Sequence, residues 1–175
     1  MYKYLNFNKI ASEKPFRDRV DIYAVDPKTK KLYGGKYNDG SFGTYGGGID
    51  TGEDPAAAAA REFQEEAGRV LKRPQVVPVP AHEEIWTVDT HAFLNPEKRH
   101  RLAQFQGSRT HFIVGELGPK YRGYRGDDTH SPLTEVGLYD PHRAKHMIAE
   151  LEAEKRRAIH AKREAVLDYL MNKYY

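Results

Sequence analysis

Glu62, Glu65 and Glu66 stand at i, i+3 and i+4 within the segment GGIDTGEDPAAAAAREFQEEAGR, and this spacing offers oxygen ligands to a hard divalent cation. On a helix each residue advances about 100°, so the three carboxylates fan over one face and converge. Carboxylates so close repel one another and raise each other's pKa unless a cation neutralises them. Mg²⁺ or Mn²⁺ is the cation that an all-oxygen set favours, and a diphosphate is the natural companion of such an ion. The alternative reading of an acidic run is a solvated helix face.

The local sequence supplies the helix. Asp54 reads as an N-cap, Pro55 occupies the first helical position, an alanine run follows, and Gly68 marks the C-terminal stop. Ala56, Ala60, Phe63 and Ala67 recur at the spacing of a buried stripe, which would pin the helix while its acids point outward. Gly47, Glu53, Arg61, Glu62, Glu65, Glu66 and Gly68 together form a pattern of fixed positions. At roughly 6% usage each, such a pattern arises by chance at about 10⁻⁹ per starting position.

This segment resembles the Nudix box: Gly, five residues, Glu, seven residues, Arg-Glu-aliphatic, any residue, Glu-Glu, any residue, Gly-aliphatic. Every fixed position matches, while Phe63 and Arg69 stand at the aliphatic positions and Tyr45 replaces the proline that often precedes the glycines. Phe63 preserves an apolar contact, and Arg69 suggests that the hydrophobic role passes to Val70 or Leu71. The resemblance implies an α/β/α sandwich with a mixed sheet. It also implies hydrolysis of a phosphoanhydride bond in a nucleoside diphosphate-linked compound, with Glu62, Glu65, Glu66 and the carbonyl of Gly46 as metal ligands. Glu53 and Arg61 then form a supporting ion pair, the guanidinium orienting a glutamate by a two-pronged hydrogen bond that lysine would reproduce poorly. Glu65 is the first choice of general base. Asp127 and Asp128, in RGDDTHS, are the downstream alternatives, though a loop aspartate beside glycine also suits a turn; Glu116 and Glu135 are weaker candidates.

Basic residues cluster at Lys98, Arg99, His100 and Arg101, and KYRGYRG sets Tyr121, Arg122, Tyr124 and Arg125 in tandem, a combination that can hold phosphate and stack a base. These four are the expected substrate contacts. Trp86 reads as a core residue, with Glu83 and Glu84 as surface charges. The expected substrates are a nucleoside triphosphate, a dinucleoside polyphosphate, a nucleotide sugar or a capped RNA end, with a diphosphoinositol polyphosphate as the non-nucleotide case. A non-catalytic module that binds a nucleotide or RNA, or an interaction domain using its C-terminal helix, is the contrasting class; the intact acids favour catalysis.

The whole chain fits this frame. Its 175 residues, 39% of them hydrophobic, suit a single domain over 1–175. It has no cysteine, which excludes disulfides, zinc–thiolate sites and thiol nucleophiles and permits a reducing, cytoplasmic setting. No Walker loop, Rossmann fingerprint, GXSXG elbow or zinc-spaced histidine pair occurs. The first residues lack the apolar core of a signal peptide, and no apolar span is long enough to cross a membrane. A net charge of +3 welcomes an anionic substrate without demanding nucleic acid.

RVDIYAV, KLYGGKY, IWTVDTHAFL, THFIVGEL and EVGLY read as strands, with DPKTK and NDGS as turns, giving an α/β order around the box helix. From Pro141 to Asn172 the apolar spacing predicts one long amphipathic helix, whose stripe packs on the domain or on a partner subunit of a homodimer. Its other face, Lys155, Arg156, Arg157, Lys162 and Arg163 among glutamates, reads as solvated.

Overall fold

The structure, a computed structural model, describes residues 14–86, 100, 102–124 and 132–174. Strands β1 (Phe16–Val25), β2 (Leu32–Lys36), β3 (Phe42–Gly43) and β4 (Tyr45–Gly48) precede helix α1 (Pro55–Ala67). Then come β5 (Arg69–Val76), β6 (His82–Ile85), β7 (Gly107–Lys120) and β8 (Thr134–Tyr139), followed by α2 (Pro141–Ala149), a 3₁₀ turn (Ala153–Lys155) and α3 (Ala158–Tyr174).

The sheet is mixed and centres on β1 and β7, which run parallel from Phe16↔Gly107 to Val25↔Glu116. On its other edge β1 pairs with β4 over Arg19–Ile22 and with β2 only at Ala24 and Val25, so two strands share one edge of β1. β7 is likewise shared, by β6 near its start and β5 farther on.

Strand alternation sorts the layers. Val20, Ile22 and Ala24 join Ile113, Tyr45 and Leu71 in a core closed by Ala58, Ala59 and Phe63 of α1. The intervening residues Tyr23 and Val25, with Phe112 and Val114, pack against Ala144 and Ile148 of α2 and Val166, Leu167 and Leu170 of α3. A helix on one face and a helical pair on the other make the expected α/β/α sandwich.

The single long helix expected at the C-terminal end needs correction. The segment 141–172 is two helices rather than one: Asp140 caps α2 through the amides of His142 and Arg143, and the chain breaks across ELEAEKRR. That stretch has almost no apolar side chain with which to hold a continued helix on the sheet, and Lys155 pairs with Glu152 inside the turn at 2.8 Å. α3 then lies against α2, with Lys145 bonded to Asp168 at 2.6 Å. The strand over Arg69–Val76 carries little sequence signal, because Pro74 and a bulge between Lys72 and Gln75, with Arg73 at φ 48°, disguise an edge strand. The strand expected over 85–94 lies largely outside the described residues; the ladder there runs over His82–Ile85.

Candidate active site

Helix α1 begins as its sequence dictates: the Asp54 carboxylate accepts from the amides of Ala56 and Ala57 at 2.9 and 3.2 Å, with Pro55 next in line. It ends at Gly68, whose φ of 62° is the left-handed stop that glycine takes without penalty. Its buried residues are Ala58, Ala59 and Phe63, not the stripe of Ala56, Ala60, Phe63 and Ala67. Glu62 and Glu66 therefore sit at the margin of the buried face, and Glu65 alone of the three acids points outward.

Bare backbone in β4 makes this arrangement possible. A Cβ on Gly47 would lie 2.1 Å from the Glu62 carboxylate, so that carboxylate occupies the volume a side chain would need. One turn along, Glu66 accepts from the amide of Gly46 at 3.2 Å. Its pKa is raised, chiefly by burial and also by Glu62 and Glu65, while the Gly46 amide opposes the shift. Glu65 is the outermost of the three, its side chain 58% exposed.

Arg61 ties the loop 48–53 to the helix. Its Nε and Nη2 donate to the two carboxylate oxygens of Glu53 at 3.0 and 2.8 Å, Nη2 also donates to the carbonyl of Gly48 at 3.0 Å, and Nη1 donates to Glu62 at 2.8 Å. Glu65 stands 3.5 Å from the same Nη1. These hydrogen bonds, with one from the Asp50 amide, hold Glu53 down at about 2 and keep Arg61 firmly charged.

The three carboxylates do not converge as helical spacing predicts: Glu62 turns to Arg61, Glu66 to Gly46 and Glu65 outward. Among the described residues no three His, Asp or Glu side chains are gathered closely enough to hold an ion. The donor set still suits a hard divalent cation, because it is all oxygen and Glu66 is a half-buried carboxylate with like charges beside it.

Glu66 also lines a cleft of about 600 Å³, whose walls include Arg19 and Asp21 of β1, Glu84 of β6, and Arg157, His160 and Arg163 around the start of α3. Arg163, expected in solvent, is 7% exposed; its Nε donates to Asp21 at 2.9 Å and its guanidinium lies 5.0 Å from the Tyr37 ring centroid. His160 is 1% exposed and takes the Arg157 amide on Nδ1 at 3.0 Å. Burial, and then the charge of Arg163, lower its pKa. Neither residue was anticipated, although a gap in the apolar stripe at 162–163 was the available signal. Glu84, read as a surface charge, belongs to the cleft, while Glu83 pairs with Arg109 at 2.8 Å. Trp86 is half-buried rather than core.

Of the expected substrate contacts, Tyr121 and Arg122 are exposed in a turn beside Gly68, and Tyr124 lies over Gly68. Arg125, Asp127 and Asp128 lie outside the described residues, as do Lys98, Arg99 and Arg101. Glu116 is bonded to Arg73 at 3.1 Å and Glu135 to Lys36 at 2.7 Å; neither lines the cleft. Val70 is half-buried and Leu71 buried, so Leu71 takes the apolar role that Arg69 does not.

A family model described as "NUDIX domain" matches residues 15–161. No curated protein matches the chain. Among solved structures it is similar to a crystal structure of an ADP compounds hydrolase, with TM-score 0.57 and 18% identity over 93% of this chain and 77% of that one. It is also similar to the E. coli dihydroneopterin triphosphate pyrophosphohydrolase, at TM-score 0.53 and 14% identity over 91% and 99% of the two chains. The C. elegans Ap4A hydrolase gives TM-score 0.51 and 13% identity, again over 91% and 99%. Identities this low establish a shared fold.

Proposed function

The chain belongs to the Nudix hydrolase family, and from that premise we propose that it is a Mg²⁺- or Mn²⁺-dependent pyrophosphohydrolase acting on an anionic, nucleotide-type substrate. The observation that carries this reading is the Arg61 hub. One guanidinium grips Glu53 with two prongs, holds Glu62 and reaches the carbonyl of Gly48, an outlay of aligned donors that a solvated helix face does not need.

Glu62, Glu65, Glu66 and the carbonyl of Gly46 are the groups that would hold the cation, which when bound neutralises phosphate oxygens and lowers the pKa of water. Arg61 and Glu53 fix the position of Glu62 and of the box loop. Glu65, the most exposed of the three helix glutamates, takes the proton from the attacking water. Arg19 and Arg157 line the cleft together with Glu66 and can receive phosphates, whereas the charge of Arg163 is taken up by Asp21.

A phosphate-release screen with Mg²⁺ tests this over nucleoside triphosphates, dinucleoside polyphosphates, nucleotide sugars, capped RNA and diphosphoinositol polyphosphates, with products identified by mass. Turnover is expected on a nucleotide class and is lost in Glu65→Gln and Glu66→Gln variants that retain their circular dichroism. Tight binding without turnover across the panel would identify a sensor instead, and turnover confined to diphosphoinositol polyphosphates would exclude nucleotides.

A further inference from the structure

Tyr45 and Arg69 are departures of this chain from the box pattern, one before the glycines and one after Gly68, and the fold brings them to the same cavity. That cavity, of about 400 Å³, is lined by Tyr33, Tyr45, Arg69, Lys120 and Tyr124 and by Glu66, the residue it shares with the larger cleft.

Tyr33 and Tyr45 are stacked, with ring centroids 5.9 Å apart and planes at 12°. The Arg69 guanidinium sits 5.0 Å from the Tyr33 centroid while its Nη1 donates to the carbonyl of Gly118 at 3.0 Å, so it is held in place. Tyr124 rests on Gly68, where a Cβ would come within 2.5 Å of the ring. Val136, 46% exposed, adds apolar surface to the opening.

Packing alone explains part of this. Phe63 meets the edge of Tyr45 at 5.5 Å, so Tyr45 fills core volume that a proline would leave empty. Core filling does not account for two cations and the Tyr124 ring at the same opening. An aliphatic residue at 69 would cover Tyr33 without bringing a charge. Tyr45 is 4% exposed and the Tyr33 ring is covered by Tyr45 and Arg69, so Tyr124 is the ring that can receive a flat base, with arginine and lysine beside it to receive an anion.

The geometry points to a second subsite that receives the far end of a two-ended substrate, an aromatic base carried on a phosphate chain, while the cleft holds the other end and the bond to be cut lies near Glu66. This rests on the hydrolase reading above and narrows it: the preferred substrate is a dinucleoside polyphosphate rather than a nucleoside triphosphate.

Calorimetric titration in the presence of Mg²⁺ tests the subsite without requiring turnover. The probes are a methylene-bridged, non-hydrolysable diadenosine tetraphosphate and a methylene-bridged ATP analogue. The wild type binds the two-ended ligand at least tenfold more tightly. Arg69→Leu, which restores the aliphatic residue of the box, and Tyr124→Leu each reduce that ratio several-fold, with unchanged thermal melting showing that the fold is intact. Equal wild-type affinities, no binding of either ligand, or a ratio that survives both substitutions overturns the subsite. Failure of every substrate in the phosphate-release screen would instead remove hydrolysis, with the affinity ratio still read on its own.

Discussion

At the scale of single residues, the site depends on a side chain that does no chemistry. Arg61 satisfies both oxygens of Glu53, one of Glu62 and the Gly48 carbonyl, a set of directions that a planar fork can serve and an ammonium cannot. Arg61→Lys is therefore expected to lower kcat/KM by about 10–100-fold, the usual cost of removing a group that orients a metal ligand. Steady-state kinetics on the best substrate of the screen checks it. Glu53 also predicts an acid limb of stability. Its pKa falls from 4.5 to about 2 on folding, so its contribution is complete above pH 4.5 and is lost as pH drops towards 2. The melting temperature of the wild type should fall more steeply across that window than that of Glu53→Gln; parallel profiles would contradict the assignment.

At the scale of elements, what was legible in the chain followed how local its cause is. The box helix could be read end to end, because Asp54, Pro55 and Gly68 act within a turn of themselves. The directions of its carboxylates could not, because they follow from a neighbouring strand: Glu62 turns inward only where Gly47 leaves room, and Glu66 only where Gly46 presents an amide. The start of α3 misled for a related reason. Ile159, Arg163, Val166 and Leu170 share its buried side, but the cleft end of that side is polar and its far end apolar. A cation in an apolar stripe reads as surface charge when its partner, Asp21, is 142 positions away.

Both members of that pair are largely buried, with side-chain exposures of 8% for Arg163 and 12% for Asp21. Arg163→Met should cost about 3–5 kcal/mol, since it leaves a buried carboxylate without its partner. The double variant Asp21→Asn/Arg163→Met should recover part of that loss in urea unfolding. Additive losses would show that the two side chains are not coupled.

At the scale of the whole molecule, the sheet separates the layer of α1 from the layer of α2 and α3. α1 packs on one face, and α2 with α3 packs on the other, yet the bare backbone of β4 lets Glu66 of α1 reach the cleft beyond. Division of the β1 edge between β4 and β2 gives those glycines their place beside the cleft. Among the described residues no helix is long and apolar enough to cross a membrane. In the proposed reaction, water activated beside the box helix attacks a phosphoanhydride. Turnover in ¹⁸O-labelled water, followed by mass spectrometry of the products, tests this most directly. One labelled oxygen per cleavage is expected in a single phosphate product, dependent on Mg²⁺ and lost in Glu66→Gln. Undiminished label incorporation by Glu66→Gln, or by the wild type after complete removal of divalent ions, would contradict it.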